Sequence, residues 1–187
     1  MATYKIKGIK DVKLLYLDSG DAIAEQDIPF GNAFSMELET EEMEFEGDGQ
    51  TETVYSNQKL TGTCGFDKFS EDVLSNLFGK TAVTSGLDVG EAKRYYMGND
   101  AEMALPNVGF KVDLYALDDS DGAEANIRVT IFKAQVSPFT PPEAQNAEKW
   151  APYEVNWSAI KTAADLAGAA LPSAPSGGAL YAISILS

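Results

Sequence analysis

Carboxylates are the only catalytic or ligating groups that this sequence carries in quantity. It has 29 Asp and Glu against 14 Lys and Arg, and no His. The commonest general base and metal ligand is therefore missing, which excludes Ser-His-Asp, Cys-His and zinc–histidine chemistry. Glycoside hydrolysis by a carboxylate pair needs no His. Acids are plentiful, but nothing marks two of them as a pair, and no strand-end aromatic platform accompanies an isolated Glu. The acidic turn Asp118, Asp119, Ser120, Asp121, Gly122 invites a calcium-loop reading. With Gly122 as the sixth loop residue, Asp121 and Asp119 fall on ligand positions, but Leu117 and Arg128 then stand at the first and twelfth, where carboxylates are required. The segment reads as a solvated turn. The single cysteine, Cys64, excludes an internal disulfide and reads as a small buried hydrophobe. Lys93, Arg94, Tyr95, Tyr96 and Met97 join cations to aromatics, yet no phosphate-cradling glycine loop accompanies them, so an interface or edge strand is the better reading. No catalytic, cofactor-binding or metal-ligating residue is assigned, and the chain is expected not to be an enzyme.

What remains is a row of acids on an extended stretch. Phe34, Met36, Leu38 and Thr40 alternate with Ser35, Glu37, Glu39 and Glu41. A strand repeats every two residues, so the apolar side chains share one face and the carboxylates the other. Burying the apolar face would leave Glu37, Glu39 and Glu41 in a solvent-filled space. The alternation slips between Glu42 and Met43, which predicts a bulge or a strand leaving its sheet. Gly47, Asp48 and Gly49 are tight-turn residues, and the return run holds Val54, Tyr55, Leu60, Cys64 and Phe66 with Thr at 51, 53, 61 and 63. Residues 33–66 are therefore expected to form one long hairpin, with Glu42, Glu44, Glu46 and Asp48 toward its tip.

The elements around it follow from pattern. Lys5, Lys7, Lys10 and Lys13 alternate roughly with Tyr4, Ile6, Ile9, Val12 and Leu14, giving one or two strands with a bend at Gly8. Residues 1–10 read as a basic arm for an acidic neighbour or as an edge strand guarded by lysines. Residues 18–21 form a turn and 25–32 a loop. A helix opens at Ser70, with Glu71 and Asp72 in its first turn, an apolar stripe of Val73, Leu74, Leu77 and Phe78, and Gly79 as its stop. Strands are expected over 107–117, 125–136, 153–160 and 179–186. Residues 137–152, with four of the eight prolines, read as a surface loop. Residues 162–171 fit a short helix or a continuation of the preceding strand. The chain of 187 residues fills one domain with no dividing linker. The expected fold is mainly β: two packed antiparallel sheets, as a sandwich or barrel, with one flanking short helix.

The run ELETEEMEFEGDGQTETVYSNQKLTGTCGFDKFSEDVLSNLFGK resembles the major tail tube proteins of long-tailed bacteriophages. In that family an acidic strand, a Gly-Asp-Gly turn, a Thr-rich return strand and a short helix follow in this order. The likeness is best over residues 33–80 and extends to the order of the later strands. The resemblance implies hexameric rings in which one sheet continues into the neighbouring subunit as an inner β-barrel. Rings stack into a tube around the tape measure protein, bounded by tail terminator and distal tail proteins, and the genome later passes through as transient cargo. It implies a virion tail protein assembled in the host cytoplasm. Glu37, Glu39 and Glu41 become candidates for the lumen lining. Lys5, Lys7, Gly47, Asp48 and Gly49 become candidates for contacts between rings.

Charge fits that expectation. A net charge of −15 repels phosphate at long range, so ordinary nucleic-acid binding is unexpected, whereas an acidic lumen would keep DNA from sticking. No run of about eighteen apolar residues predicts a membrane span, and the N-terminus lacks the apolar core of a secretory signal. The other reading of the same features is a non-enzymatic acidic β-sandwich that binds or adheres, its carboxylates a solvated outer face.

Overall fold

A computed structural model describes residues 4–28, 30–47, 50–66, 71–79, 81–96, 105–119, 122–137 and 153–186. The fold is mainly β. In order it runs β1 (Tyr4–Leu17), β2 (Ile23–Asp27), β3 (Phe30–Gly47), β4 (Gln50–Phe66), α1 (Glu71–Phe78), β5 (Asn107–Asp118), β6 (Glu124–Val136), β7 (Tyr153–Ala159) and β8 (Tyr181–Leu186). All strand pairings are antiparallel.

Hydrogen bonding joins the strands into one eight-stranded sheet, ordered β2-β1-β5-β6-β7-β4-β3. The join is made by β6, which forks. Its residues from Asn126 to Ile131 pair with β8, and Ala134, Gln135 and Val136 pair with β7. The sheet is strongly curled. Phe34 on β3 and Phe110 on β5 lie four strands apart, roughly 19 Å in a flat sheet, yet their ring centroids are 5.7 Å apart. Trp157 on β7 touches both, at 5.6 Å from Phe34 and 5.4 Å from Phe110. The wing β7-β4-β3 thus folds back over the body β2-β1-β5-β6-β8, and the two faces enclose the core. The two expected layers are halves of one continuous sheet.

Alternation decides which residues enter that core. Across the body, Leu14, Phe110 and Ile131 share one register row, and Val12, Val112 and Val129 another; all six are buried. The wing contributes Phe34, Leu60, Cys64, Val155 and Trp157. Gly62 is required where β3, β4 and Trp157 converge, because a Cβ there would stand 1.9 Å from the Ser35 carbonyl oxygen and 2.5 Å from the indole ring. The opposite face of the body is polar. Arg128 donates to both Asp113 carboxylate oxygens at 2.6 and 2.9 Å, and Lys111 and Lys13 engage Glu25.

The helix forms where its stripe predicts. Leu74, Leu77 and Phe78 are buried, Gly79 adopts φ +61° just past the last turn, and Asn76 Nδ2 donates to Gln26 Oε1 on β2 at 2.8 Å. Ser70 and the tight-turn residues Asp48 and Gly49 lie outside the described residues. The turn at 18–21 closes on Asp18, whose Oδ1 accepts from the N–H groups of Gly20 and Ala22. Three expectations need correction. Residues 25–27, read as part of a loop, belong to strand β2, because the turn at 18–21 folds Ile23–Asp27 back along Lys13–Leu17. Lys93–Tyr96 form no strand; Arg94 makes one isolated bridge to Val83. Residues 162–171 form no helix; they fold through single bridges, Thr162 to Ala179 and Ala164 to Ala170, around Gly168 with φ +84°.

Candidate functional site

The hairpin is built as its alternation requires, but its burial is not. β3 and β4 pair from Phe30–Phe66 out to Gly47–Gln50, leaving a two-residue connection at Asp48 and Gly49. The pairs Phe34–Cys64, Met36–Gly62 and Leu38–Leu60 share the core-side face, and Ser35–Thr63, Glu37–Thr61 and Glu39–Lys59 share the other. Phe34 is buried. Met36 and Leu38 are 37% and 43% exposed, so along β3 the expected burial of this face stops at Phe34, although Leu60 opposite Leu38 on β4 is buried. Residues 35–41 and Glu44 are all exposed. The reason is topological: β3 is the last strand of the sheet, and its far side has no partner among the described residues. The register shift falls between Glu39 and Glu41, opposite Lys59 and Ser56, so the bulge lies on β4 and earlier than the slip at Glu42 and Met43 predicts.

Glu37, Glu39 and Glu41 alternate along β3 with Met36 and Leu38 and all reach solvent. Glu39 approaches Lys59 at 3.9 Å, and Glu37 has no ion pair among the described residues. On the same outer face the Ser35 and Thr63 hydroxyls share a hydrogen bond of 2.8 Å. Nothing in this arrangement brings two carboxylates into a confined pair. Among the described residues no cluster of three or more Asp, Glu or Cys is placed to hold a metal ion.

The basic N-terminal stretch is not a detached arm. From Tyr4 it is the first half of β1, paired with β5 from Tyr4–Asp118 through Leu15–Gly109, with bulges at Lys7 and Lys10. Lys5 forms an ion pair with Asp119 in the β5–β6 turn. Lys7 and Lys10 line a shallow recess with Tyr115 and Asn126, and the Lys10 ammonium stands 5.9 Å over the Tyr115 ring. β2 covers β1 only from Lys13 to Leu17, and the Ile28 N–H adds one bond to the Val12 carbonyl. Residues 4–11 therefore keep one unpaired side among the described residues. Of the expected ring-to-ring contacts, Lys5 and Lys7 lie on this edge and Gly47 ends β3, while Asp48 and Gly49 fall outside the described residues.

The remaining clusters are structural. Arg94 donates to Asp88, Glu91 and the Tyr96 hydroxyl, which together hold its pKa well above the ordinary value, and Lys93 pairs with Glu71 at the start of α1. That use of the cations ties the 83–96 segment to itself and to the helix. Cys64 is 1% exposed and burial pushes its thiol up to about 12, so it is an inert packing group. The 118–122 turn closes through Gly122 N–H to the Asp118 carbonyl. Sequence reasoning missed the open edges of β3 and of the first half of β1. The signal was present in Ile6, Ile9, Met36 and Leu38, apolar residues alternating with charge, but alternation says nothing of which face a neighbour covers. No protein-family model matches the chain, and a search of curated proteins finds no relative.

Proposed function

We propose that this chain is a structural subunit that polymerises as stacked rings into the tail tube of a long-tailed bacteriophage, through which DNA passes. One observation carries the reading: β3 leaves the core after Phe34 and runs on to Gly47 with both faces exposed from 35 to 41 and one side unpaired. A long open edge with apolar residues on it is a template for association, and a two-stranded ribbon is marginal in water by itself. A subunit that completes its sheet with its neighbours resolves both problems at once. The acidic row then has a use. In a closed ring the face of Glu37, Glu39 and Glu41 turns toward the lumen, where fixed negative charge repels phosphate and lets DNA slide. The motif order acid strand, Gly-Asp-Gly and Thr-rich return supports the same assignment, and hexameric rings follow from the resemblance alone.

Negative-stain microscopy of concentrated protein, with a tail initiator supplied, is expected to give tubes. A strictly monomeric species at every concentration overturns the proposal in favour of a binding or adhesion module. The lumen assignment has its own test. Phage in which Glu41→Lys reverses one charge of the row Glu37, Glu39 and Glu41 are expected to form tails yet to release their genome slowly at low salt, with recovery at high salt. Normal release at both would put these residues on the outer wall.

A further inference from the structure

Two unpaired strand edges of this chain match each other on both faces. On β3 the core-side face carries Met36 and Leu38, 37% and 43% exposed, and the other face carries Glu37 and Glu39. On the open half of β1 the core-side face carries Ile6 and Ile9, 60% and 36% exposed, in register with Ala116 and Leu114. Its other face carries Lys5, opposite Leu117, and Lys10, held over Tyr115, and Lys7 lines the same recess as Lys10. The β8 edge offers exposed Ile183 and Ile185 but no cation in Tyr181–Leu186. Charge therefore selects β1.

We infer that β3 of one copy lies along residues 4–11 of β1 in the next copy, so that the sheet continues with like faces aligned. Met36 and Leu38 then meet Ile6 and Ile9, and Glu37 and Glu39 stand beside Lys7 and Lys10. This rests on the polymer reading above and deepens it by naming the acceptor edge. Cross-strand pairs of both kinds are stabilising, while the flipped attachment sets apolar side chains against charges, so one sense of docking is favoured. β3 against β3 would oppose carboxylate to carboxylate. Joining unlike edges always leaves one free edge of each kind at the two ends of the growing assembly, which is the condition for a ring or a filament. The seam lysines compensate Glu37 and Glu39.

Two charge-reversed chains test this: Lys7→Glu with Lys10→Glu, and Glu37→Lys with Glu39→Lys. Each alone puts like charges at every seam, and its self-association by sedimentation at low salt is expected to fall by about tenfold or more. An equal mixture gives each acidic edge a basic one, and association is expected to return. In the unaltered chain, assembly is expected to slow hydrogen exchange at the amides of 5–11 and 35–41. Undiminished assembly of either variant alone overturns the inference. So does a mixture that stays dispersed while both chains remain folded by circular dichroism, or protection that appears on β8 instead of β1. If the parent forms tubes and the variants behave like it, the seam falls and the tube reading stands; if the parent never associates, both fall.

Discussion

The body of the sheet and the β3–β4 hairpin are built from the same alternating chemistry and end in opposite states. In the body, Val12, Phe110 and Val112 sit beside charged residues along their strands and are completely buried. In β3, Met36 and Leu38 alternate with glutamates and stay exposed. The difference lies in what stands opposite. The body is faced by the wing and by α1, whereas beyond Phe34 the β3 side chains Met36 and Leu38 are left 37% and 43% exposed. A periodic pattern specifies a face; topology specifies whether that face is covered.

The sharpest way to break this contrast is at the ring cluster that closes the body onto the wing. Phe110→Ala removes a fully buried ring packed on Phe34 and Trp157. It is expected to cost about 4 kcal/mol in urea unfolding. A loss below about 1 kcal/mol would mean that body and wing do not pack as one core. Gly62→Val ranks next, at about 3 kcal/mol, because its side chain collides with the Ser35 carbonyl and Trp157. Here the near-ultraviolet signal of Trp157 is expected to change while the helix content holds.

The polar face of the body supplies a smaller effect with a pH signature. Arg128 hydrogen bonds hold the Asp113 carboxyl below its ordinary value. A depressed folded value stabilises fully above the unfolded carboxylate range, about pH 4, and the contribution is lost as pH falls through the lower folded value. Asp113→Asn is expected to cost about 1 kcal/mol at pH 7, kept small because the two side chains are 25% and 28% exposed. The gap between variant and parent should close in acid, and a gap that persists unchanged would assign the loss to packing. The smallest effect belongs to the hairpin. Met36→Ala with Leu38→Ala is expected to change the stability of the isolated subunit by less than about 0.5 kcal/mol. A loss comparable to that of Phe110→Ala would show the hairpin face to be buried after all.

Local chemistry made much of this legible beforehand. The hairpin around Gly47, the helix stripe from Leu74 to Phe78 with its Gly79 stop, and the pairing of 107–118 with 124–136 all follow from periodicity and turn residues. Strand β2 was hidden because Glu25, Gln26 and Asp27 have poor strand propensity and are held there by the turn on Asp18. The merger of two expected layers into one sheet was also hidden. It depends on β6 splitting its edge between β7 and β8, a long-range choice that no local window contains. At the candidate site, the row of Glu37, Glu39 and Glu41 was readable from alternation. The open side of β1 was not, since it reflects how short β2 is.

The fork in β6 also has a mechanical meaning. Besides the chain itself, a pull on the hairpin reaches the body through backbone bonds and through core packing. The bonds include the short run from Ala134 to Val136, and the packing includes the contact of Phe34, Phe110 and Trp157 across the core. Within the body, β1 and β5 are bonded over most of their length, so the body is the stiffer part. Ring contacts resist separation but have little preference for direction, and they tolerate small sliding better than a hydrogen-bonded ladder does. The β6–β7 junction is therefore the compliant joint of the subunit. An assembly of these chains would bend by flexing a little at that joint in every copy, while each stretch of bonded strand stays intact.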